Sequence, residues 1–317
     1  MKIAVWLGRR LIAIVLQLLI ISFLTFSLLF LMPGSPEQIL IGPNPATAEQ
    51  LESIRERYGL NEPFLAQYAD WLGAAVHLDF GTSIANGEEV SSLLIERSGV
   101  TVSLAIYAIV LLLLLAVPLG LVAGARAGGT ADRVISAVTT MLVSAPAFAT
   151  GLLLLYVFGV VLRWFPIFGF GSGFTDVVWH LTLPAATLAI AVIALIVRQT
   201  RAVAATIVRS DYVLFGRARG VAPWTIWTRY LLRGSSMPLV TSMGLVLGFF
   251  LTGTVVVERL FSIPGLGSLL INAVSTKDLP VVQGATILVS FFVLLANLLA
   301  DASHLAVDPR VRKAVLA

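Results

Sequence analysis

The residue types that most often carry catalysis are scarce in this sequence, and none of them forms a known catalytic motif. The three histidines, His77, His180 and His304, are each followed by leucine, so the HExxH zinc motif is absent. The three lysines follow Met, Thr and Arg, which excludes the G-K-[ST] loop that binds nucleotide phosphates. A chain without cysteine has no thiolate zinc site and no cysteine nucleophile. We therefore expect a chain that is not an enzyme and binds neither metal nor cofactor, which leaves transport or scaffolding.

One segment, residues 211–241, concentrates arginine, glycine and aromatic residues, although only 12% of the chain is charged. Ser210 or Asp211 can cap a helix that runs toward Arg219, and Gly220 interrupts this helix. Pro223 suits the first turn of a second helix. The apolar residues of this second helix recur at about helical spacing, at Trp224, Trp227, Tyr230 and Leu231. The pattern is typical both of helices lying at lipid headgroups and of a docking surface for another protein.

Long apolar blocks flank this segment and must position it. The chain is 58% hydrophobic, above the roughly 45–50% apolar content of soluble domains, and its mean hydropathy is +0.96. Six blocks have about the twenty residues that cross a bilayer core of roughly 30 Å. They are residues 11–32, 99–123, 134–162, 179–197, 238–257 and 281–300. The first block is too long for a cleaved signal, so we expect a retained span.

The distribution of basic residues predicts which side of the membrane each segment faces. With the N-terminus in the cytoplasm, the cytoplasmic segments hold 15 of the 21 Lys and Arg residues. Ten acidic residues instead lie between Glu37 and Glu96, in the first outer segment. We therefore expect six spans in membrane lipid with both termini in the cytoplasm. Because topology accounts for the charge asymmetry, the formal net charge of +4 indicates no nucleic-acid partner.

The outer segment at residues 33–98 is predicted to form a small helical cap. Its sequence TAEQ at 47–50 is typical of a capping box, and a second helix is expected to begin near Pro63. This second helix would present one apolar face, formed by Leu65, Tyr68, Trp71 and Leu72. The segment is interpreted either as an acidic cover over the spans or as a docking lid for a soluble partner.

The centres of the predicted spans hold no ionisable residue, which argues against a proton-driven transporter and leaves backbone-coordinated sodium open. Hydroxyl side chains are the main polar groups there. The candidates for lining a transport pathway are Thr139, Ser144, Thr252 and Thr254. The alternative is that these hydroxyls only bond carbonyls of their own helices. Pro118, Pro146 and Pro184 are expected to bend their spans, and Gly244, Gly248 and Gly253 permit close helix packing because they lack side chains.

Several short segments follow one another in a specific order along the chain. They are LMPGSP at 31–36, YGL at 58–60, LDFGTS at 78–83, ERLFSIPGLG at 258–267, PVVQG at 280–284 and DPRVR at 308–312. Residues 211–238 add DYV, RARG, LLR and a proline, which together resemble the cytoplasmic EAA-type motif of ABC importer permeases. The whole set resembles the dipeptide, oligopeptide and nickel permease family in its first-subunit branch, over nearly the full chain.

Three positions depart from the pattern of that family. Ser35 stands where an acidic residue is common, so no substrate or ion role is assigned to it. Gly216 replaces the usual alanine of the EAA-type core, which should loosen the first helix by up to ~1 kcal/mol. Arg219 replaces the usual lysine. The bend at Gly220 is retained, so docking remains the expectation.

The resemblance implies an all-α polytopic membrane protein with the type I ABC importer permease fold, in a bacterial or archaeal cytoplasmic membrane. It implies a first span within 1–32, the extracytoplasmic cap at 33–98 and a permease core at 99–317. Such a subunit pairs with a homologous permease, two ATP-binding cassette subunits that bind ATP and Mg²⁺, and an extracytoplasmic substrate-binding protein. Di- and oligopeptides are the first expected substrates. Nickel chelates, glutathione and small glycosides are alternatives, and an ion-coupled secondary transporter is the other class left open.

The resemblance also implies roles for two groups of residues. Residues 211–233, the coupling segment, would seat in a groove of one ATPase. Its docking residues would be Asp211, Tyr212, Arg217, Ala218, Arg219, Gly220, Pro223 and Trp224. The outer motif would supply a turn, or a gate or partner contact, at Glu258, Phe261, Pro264, Gly265 and Gly267. Proline followed by glycine by itself suits the centre of a type II turn.

Overall fold

A computed structural model describes residues 2–31, 35, 36, 38, 47–57 and 60–307 of the chain. The motif residues at 32–34, 58–59 and 308–312 lie outside this part. Apart from one isolated antiparallel bridge between Thr82 and Glu89, the described secondary structure is helical. The helices are α1 (Lys2–Leu31), α2 (Ala48–Arg57), α3 (Phe64–Val76), α4 (Val90–Ala125), α5 (Thr130–Ser144), α6 (Ala147–Leu154), α7 (Phe174–Val208), α8 (Asp211–Ala218), α9 (Pro223–Thr225), α10 (Arg233–Leu260), α11 (Leu266–Thr276) and α12 (Leu279–Val307).

Two of these helices continue into π-helical turns. α6 runs into Leu155–Val161, and α9 runs into Ile226–Leu232. The second π-helical segment leads directly into α10. The chain is therefore helical without interruption from Pro223 to Leu260.

Five helices, α1, α4, α7, α10 and α12, contain stretches that are long and apolar enough to cross a membrane. The bend expected at Pro146 is confirmed, because α5 and α6 meet at an angle of 103°. Pro118 and Pro184 instead lie inside α4 and α7. The break follows from Pro146, since proline lacks an amide hydrogen and disfavours helical backbone in the residue before it. Ala145 accordingly has extended backbone, with φ −85° and ψ 139°. The all-α polytopic fold is confirmed, and it has six spans when the bent pair counts as one.

The chain folds into two compact units. The first contains residues 3–101 and 264–294, and therefore α1 to α3, α11 and adjoining parts of α4 and α12. The second contains residues 102–263 and the chain from 295 onward, with α5 to α10 and the remaining parts of α4 and α12. The expected limits of the cap at 33–98 and of the core at 99–317 stay a prediction.

In the first unit, an aromatic cluster joins α1 to α3. The ring centroids of Phe23, Phe26 and Phe30 on α1 lie 5.0–5.7 Å from those of Phe64 and Tyr68 on α3. Aromatic pairs at such distances stabilise by about 0.5–1.5 kcal/mol beyond the burial of their area. The cluster therefore fixes α3 against the first span.

The local predictions for the two short helices α2 and α3 are largely confirmed. At the start of α2, Thr47 N donates to Gln50 Oε1 at 2.9 Å and Gln50 N donates to Thr47 Oγ1 at 3.3 Å, which is a capping box. α3 begins directly after Pro63. Leu65, on the predicted apolar face, is 69% exposed. Phe64, one position earlier, meets the α1 aromatics instead.

In the second unit, α7 is the central helix. Within its apolar window 67% of the residues are buried, against 22–44% in the other four long spans. Small residues let neighbouring helices approach closely. A Cβ on Gly120 of α4 would lie 2.5 Å from the Cβ of Thr200 on α7. A Cβ on Gly244 of α10 would overlap Ala300, which confirms the predicted packing role of that glycine.

An ion pair joins α5 to α7 and was not anticipated from the sequence. Arg201 Nε donates to Asp132 Oδ1, and Arg201 Nη2 donates to Asp132 Oδ2 at 2.7 Å. Gly128 N also donates to Asp132 Oδ2, at 2.8 Å. The Asp132 side chain is only 4% exposed and that of Arg201 is 38% exposed. The helices extend beyond the apolar blocks, so these charged residues lie near helix ends rather than in loops.

Replacing Asp132 by asparagine is expected to destabilise the second unit, because Arg201 would lose its charged acceptor. Hydrogen bonds to charged groups contribute about 1.5–3 kcal/mol each, so we expect a loss of about 2 kcal/mol in the free energy of unfolding. The measurement is the thermal unfolding midpoint of the purified chain in detergent. Glu52→Gln, at an exposed pair with Arg55, is the control and should cost less than about 1 kcal/mol. Equal midpoints for the two variants would contradict a stabilising role for the buried pair.

Candidate functional site

The coupling segment has the two-helix geometry that its sequence predicts. α8 and α9 are separated by a bend at Gly220, whose φ is +77°. Glycine adopts this left-handed backbone without the steric cost that a side chain adds. Pro223 occupies the first turn of α9, as expected. Ser210 takes the N-cap position of α8, but its hydroxyl donates to Ile207 O at 2.5 Å and makes no capping hydrogen bond.

One face of the coupling segment is anchored in the second unit. Val213 is fully buried, and Ile226 and Leu231 are 6% and 1% exposed. α8 and the π-helical turns after α9 both pack against α7, the central helix. The rings of Tyr212 and Tyr230, with centroids 5.7 Å apart, add a contact between α8 and these turns. The segment is therefore held as part of the folded unit rather than as a free loop.

The opposite face carries exposed apolar and basic side chains. Trp224 and Phe215 are 77% and 69% exposed, although exposed aromatic residues of this size are unusual on a soluble surface. Asp211, Ala218 and the bend at Gly220 are exposed as well. Arg217 and Arg219 are exposed and form no ion pair with any carboxylate in the described part of the chain. This face fits either lipid headgroups or a complementary groove on a protein.

Two family models cover most of the sequence. The model described as binding-protein-dependent transport system inner membrane component matches residues 116–313. The model for the N-terminal part of the membrane components of such systems matches residues 3–105. The chain belongs to this family. The sequence-based resemblance to ABC importer permeases is thereby confirmed, and this permease is a multi-pass protein of the inner membrane.

Individual relatives align with this permease over nearly their full length. The probable peptide ABC transporter permease of Sinorhizobium fredii is 33% identical over 311 residues, 97% of this chain and 99% of its own. A putative peptide permease of Brucella ovis is 37% identical over 303 residues, 93% of this chain and 95% of its own. The glutathione transport system permease of Escherichia coli K12 is 35% identical over 305 residues, 96% of this chain and 97% of its own.

The outer motif ends one helix of the permease and begins the next. Ile263 N donates to Glu258 O at 2.8 Å, and Ser262 has a φ of +51°, as in a Schellman motif at a helix C-terminus. The predicted type II turn at Pro264 and Gly265 is wrong, because that turn needs positive φ at its third residue. Gly265 instead has φ −103° and is the residue before α11.

The residues proposed for a gate or partner contact in the outer motif are mostly covered. Glu258, Phe261, Gly265 and Gly267 are buried, and Pro264 is half-buried. Arg97 Nη1 donates to the Pro264 carbonyl at 3.4 Å. This burial favours the structural interpretation of the motif. A gating role stays a prediction.

The hydroxyls that were candidates for pathway lining all bond their own helices. Thr139, Ser144, Thr252 and Thr254 donate at 2.8–3.1 Å to carbonyls three or four residues earlier. Thr139 and Thr254 are buried, whereas Ser144 and Thr252 are exposed. The arrangement agrees with the interpretation that such hydroxyls satisfy their own helix. A role in the pathway stays a prediction.

Two segments that are far apart in the sequence are in contact in the structure. Asp278, which is 3% exposed, accepts a hydrogen bond from Ser83 Oγ at 2.5 Å. It also accepts from the backbone N–H groups of Ile84 and Ala85, at 3.1 and 3.3 Å. Ser83 and Asp278 are 195 residues apart, so no spacing rule could pair them. The only available signal was that Ser83 ends one segment that resembles the family and Asp278 lies two residues before another, PVVQG at 280–284.

Two alanine substitutions in the coupling segment are expected to have opposite effects. A Cβ on Gly216 would meet only the Val221 side chain, at an ordinary 3.7 Å, and alanine favours a helix over glycine by about 1 kcal/mol. A Cβ on Gly220 would strain the left-handed backbone by about 1–2 kcal/mol. Amide hydrogen exchange in α8 should therefore slow in Gly216→Ala and accelerate in Gly220→Ala. Faster exchange in both variants would contradict this account of the bend.

Proposed function

We propose that this permease is the transmembrane subunit of an ATP-driven importer of short peptides, and that residues 211–233 dock one of its ATPases. Two relatives whose names include peptide transport support the substrate, at 33% and 37% identity over at least 93% of this chain. The apolar blocks have no ionisable residue at their centres, which suits a pathway for substrates with varied side chains.

The exposed face of the coupling segment is the observation that carries the docking proposal. Trp224 and Phe215 project from a backbone that Val213 and Leu231 hold in the core. Exposed aromatic residues on a rigid support are typical anchors of protein interfaces. Arg217, close to these aromatics in sequence, would meet acidic groups on the ATPase and so favour one orientation of docking.

Movement of a docked segment would be passed directly to a transmembrane helix. The chain is helical without interruption from Pro223 to Leu260, so α9 and α10 move as connected elements. ATP and Mg²⁺ would bind on the partner ATPases, since this chain has no G-K-[ST] loop. Their state would shift the permease between outward- and inward-open forms, because the two forms bind the ATPases with different affinity.

The complete importer is proposed to contain a second, homologous permease, two ATPases and an extracytoplasmic binding protein. The coupling segment would face the cytoplasm together with both termini. The positive-inside rule supports this orientation, since 15 of the 21 basic residues would then face the cytoplasm. The first outer segment, with its ten acidic residues, would then face the binding protein.

Glutathione is the second candidate substrate. The glutathione permease of Escherichia coli is 35% identical to this chain and aligns with 96% of it. Its substrate is a tripeptide with one side-chain amide linkage, so the two candidates differ in backbone shape rather than in chemical class. A competition experiment can therefore separate them.

Proteoliposomes with the complete importer are expected to accumulate a labelled tripeptide when ATP reaches the ATPases and the binding protein reaches the opposite face. Unlabelled tripeptides of different side chains should compete with the label, and glutathione should not. Competition by glutathione alone would support the second candidate. Uptake by this chain without ATPases, driven by an ion gradient, would contradict an ATP-driven importer.

The double variant Phe215→Ala/Trp224→Ala is expected to lose both ATPase co-purification and uptake while still inserting into the membrane. Each aromatic anchor contributes about 2 kcal/mol or more to an interface, so two losses should weaken the complex at least about a hundredfold. Because the ATPases are cytoplasmic, their binding to the unmodified chain would also show that the coupling segment faces the cytoplasm.

Trp164→Ala is the matched control, because it removes another exposed tryptophan, 57% exposed, outside the coupling segment. It should leave co-purification and uptake unchanged. Normal uptake by the double variant would instead show that the segment only lies at lipid headgroups.

A further inference from the structure

The first unit contains a cavity of about 750 Å³ that has no role in the proposed coupling. Its inner wall is apolar and aromatic, with the buried side chains of Phe26 and Phe80 and the half-buried side chain of Trp71. The opening carries five exposed acidic residues, Glu56, Glu62, Asp70, Asp79 and Glu89. Among the described residues that line it there is no lysine, arginine or histidine. Cavities of this size hold small ligands in many proteins.

The negative charge of the cavity is not balanced within the described part of the chain. None of the five carboxylates forms an ion pair with a described basic residue. Asp79 Oδ1 accepts one hydrogen bond, from Gly81 N at 3.0 Å. No group of acidic or histidine side chains among the described residues is close enough to hold a metal ion. Carboxylates dispersed in this way suit an organic cation that reaches several of them.

Two buried glutamine side chains in the cavity have hydrogen-bonding capacity to spare. Gln283 is 6% exposed, lines the cavity, and forms no side-chain hydrogen bond within the described part of the chain. Gln67 is 8% exposed, and its Nε2 donates to the carbonyls of Leu60 and Glu62 at 3.4 and 2.8 Å. Its Oε1 is left as an acceptor. A bound ligand can therefore form additional hydrogen bonds with both amides.

We propose that this cavity binds a short peptide through its positively charged groups, either the ammonium terminus or basic side chains. The carboxylates at the opening attract the cation, and charge-assisted hydrogen bonds orient it. The Gln283 amide pairs with a peptide group of the ligand, since it can donate and accept at once. Trp71 and Phe80 cover apolar parts of the ligand and can stack on a cationic group. That the ligand is a peptide rests on the proposed peptide transport. The new element is a site on the first unit that prefers cationic peptides.

The test is binding of trilysine amide to the purified full-length permease in phosphatidylcholine nanodiscs, by calorimetry with empty nanodiscs subtracted. The unmodified chain should bind it, and binding should weaken as salt rises because exposed charges are screened. Gln283→Leu and Glu62→Gln/Asp70→Asn should each weaken binding about tenfold, as expected for the loss of one or two hydrogen-bonding groups.

The control Glu49→Gln/Glu52→Gln removes two acidic residues of α2 that do not line the cavity, and should leave binding unchanged. Ala74→Glu adds a carboxylate to the lining and should strengthen binding, a gain that a misfolded variant would not show. Unchanged affinity in both cavity variants, or equal binding of triglutamate, would overturn the site.

Two further outcomes separate this site from the proposed function. If trilysine amide fails to bind while the complete importer still transports peptides, the site is overturned and the function stands. If the cavity variants weaken binding as expected but the importer moves no peptide, the cavity binds cationic peptides and the proposed function fails. Cross-linking from position 283 to a lysine of the binding protein, without binding of the free peptide, would assign the cavity to a partner protein and overturn the proposal.

Discussion

In the hydrocarbon core of a bilayer, backbone N–H and C=O groups have no water to bond, so each must find a partner within the protein. This constraint accounts for the long helices that make up most of the described chain. It also accounts for the candidate pathway hydroxyls, which donate to carbonyls of their own helices. The clear break within a predicted span occurs at Pro146, which cannot supply a helical N–H, and the two halves then diverge by 103°. The need to form backbone hydrogen bonds therefore determines the shape of the spans first, and side-chain contacts determine it second.

Buried carboxylates outside the apolar blocks are also matched by several partners. Asp132 accepts hydrogen bonds from Arg201 and from the backbone of Gly128. Asp278 accepts from a hydroxyl and from two backbone N–H groups. Each therefore fixes elements that are remote in sequence, because a buried carboxylate that lost its partners would carry a large desolvation cost. The Gln283 amide lines the cavity and has no hydrogen-bond partner among the described residues, which supports the proposed ligand site.

The coupling segment combines firm anchoring with an exposed apolar face. Val213 and Leu231 bury one side of it, whereas Phe215 and Trp224 stay exposed on the other. Exposing large aromatic residues is unfavourable in water, so this face makes physical sense when lipid or a protein partner covers it. Membership of a family of binding-protein-dependent transport systems favours a protein partner. The helix is uninterrupted from Pro223 to Leu260, so a partner docked on the segment would be connected directly to a span.

The sequence by itself determined the features that depend on a few neighbouring residues. Hydropathy located the spans, TAEQ at 47–50 formed the expected capping box, and Gly220 took the left-handed backbone that the bend requires. The order of short motifs identified the family. Tertiary structure decided what depends on distant residues. The pairing of Ser83 with Asp278 across 195 residues, and the cavity lined by Gln67 and Gln283, arise only when helices pack. The Pro264–Gly265 turn was mispredicted for a local reason, because the Schellman end of α10 placed the positive φ at Ser262 instead. Local propensity acts over a few residues of chain, whereas packing brings together residues that no spacing rule relates.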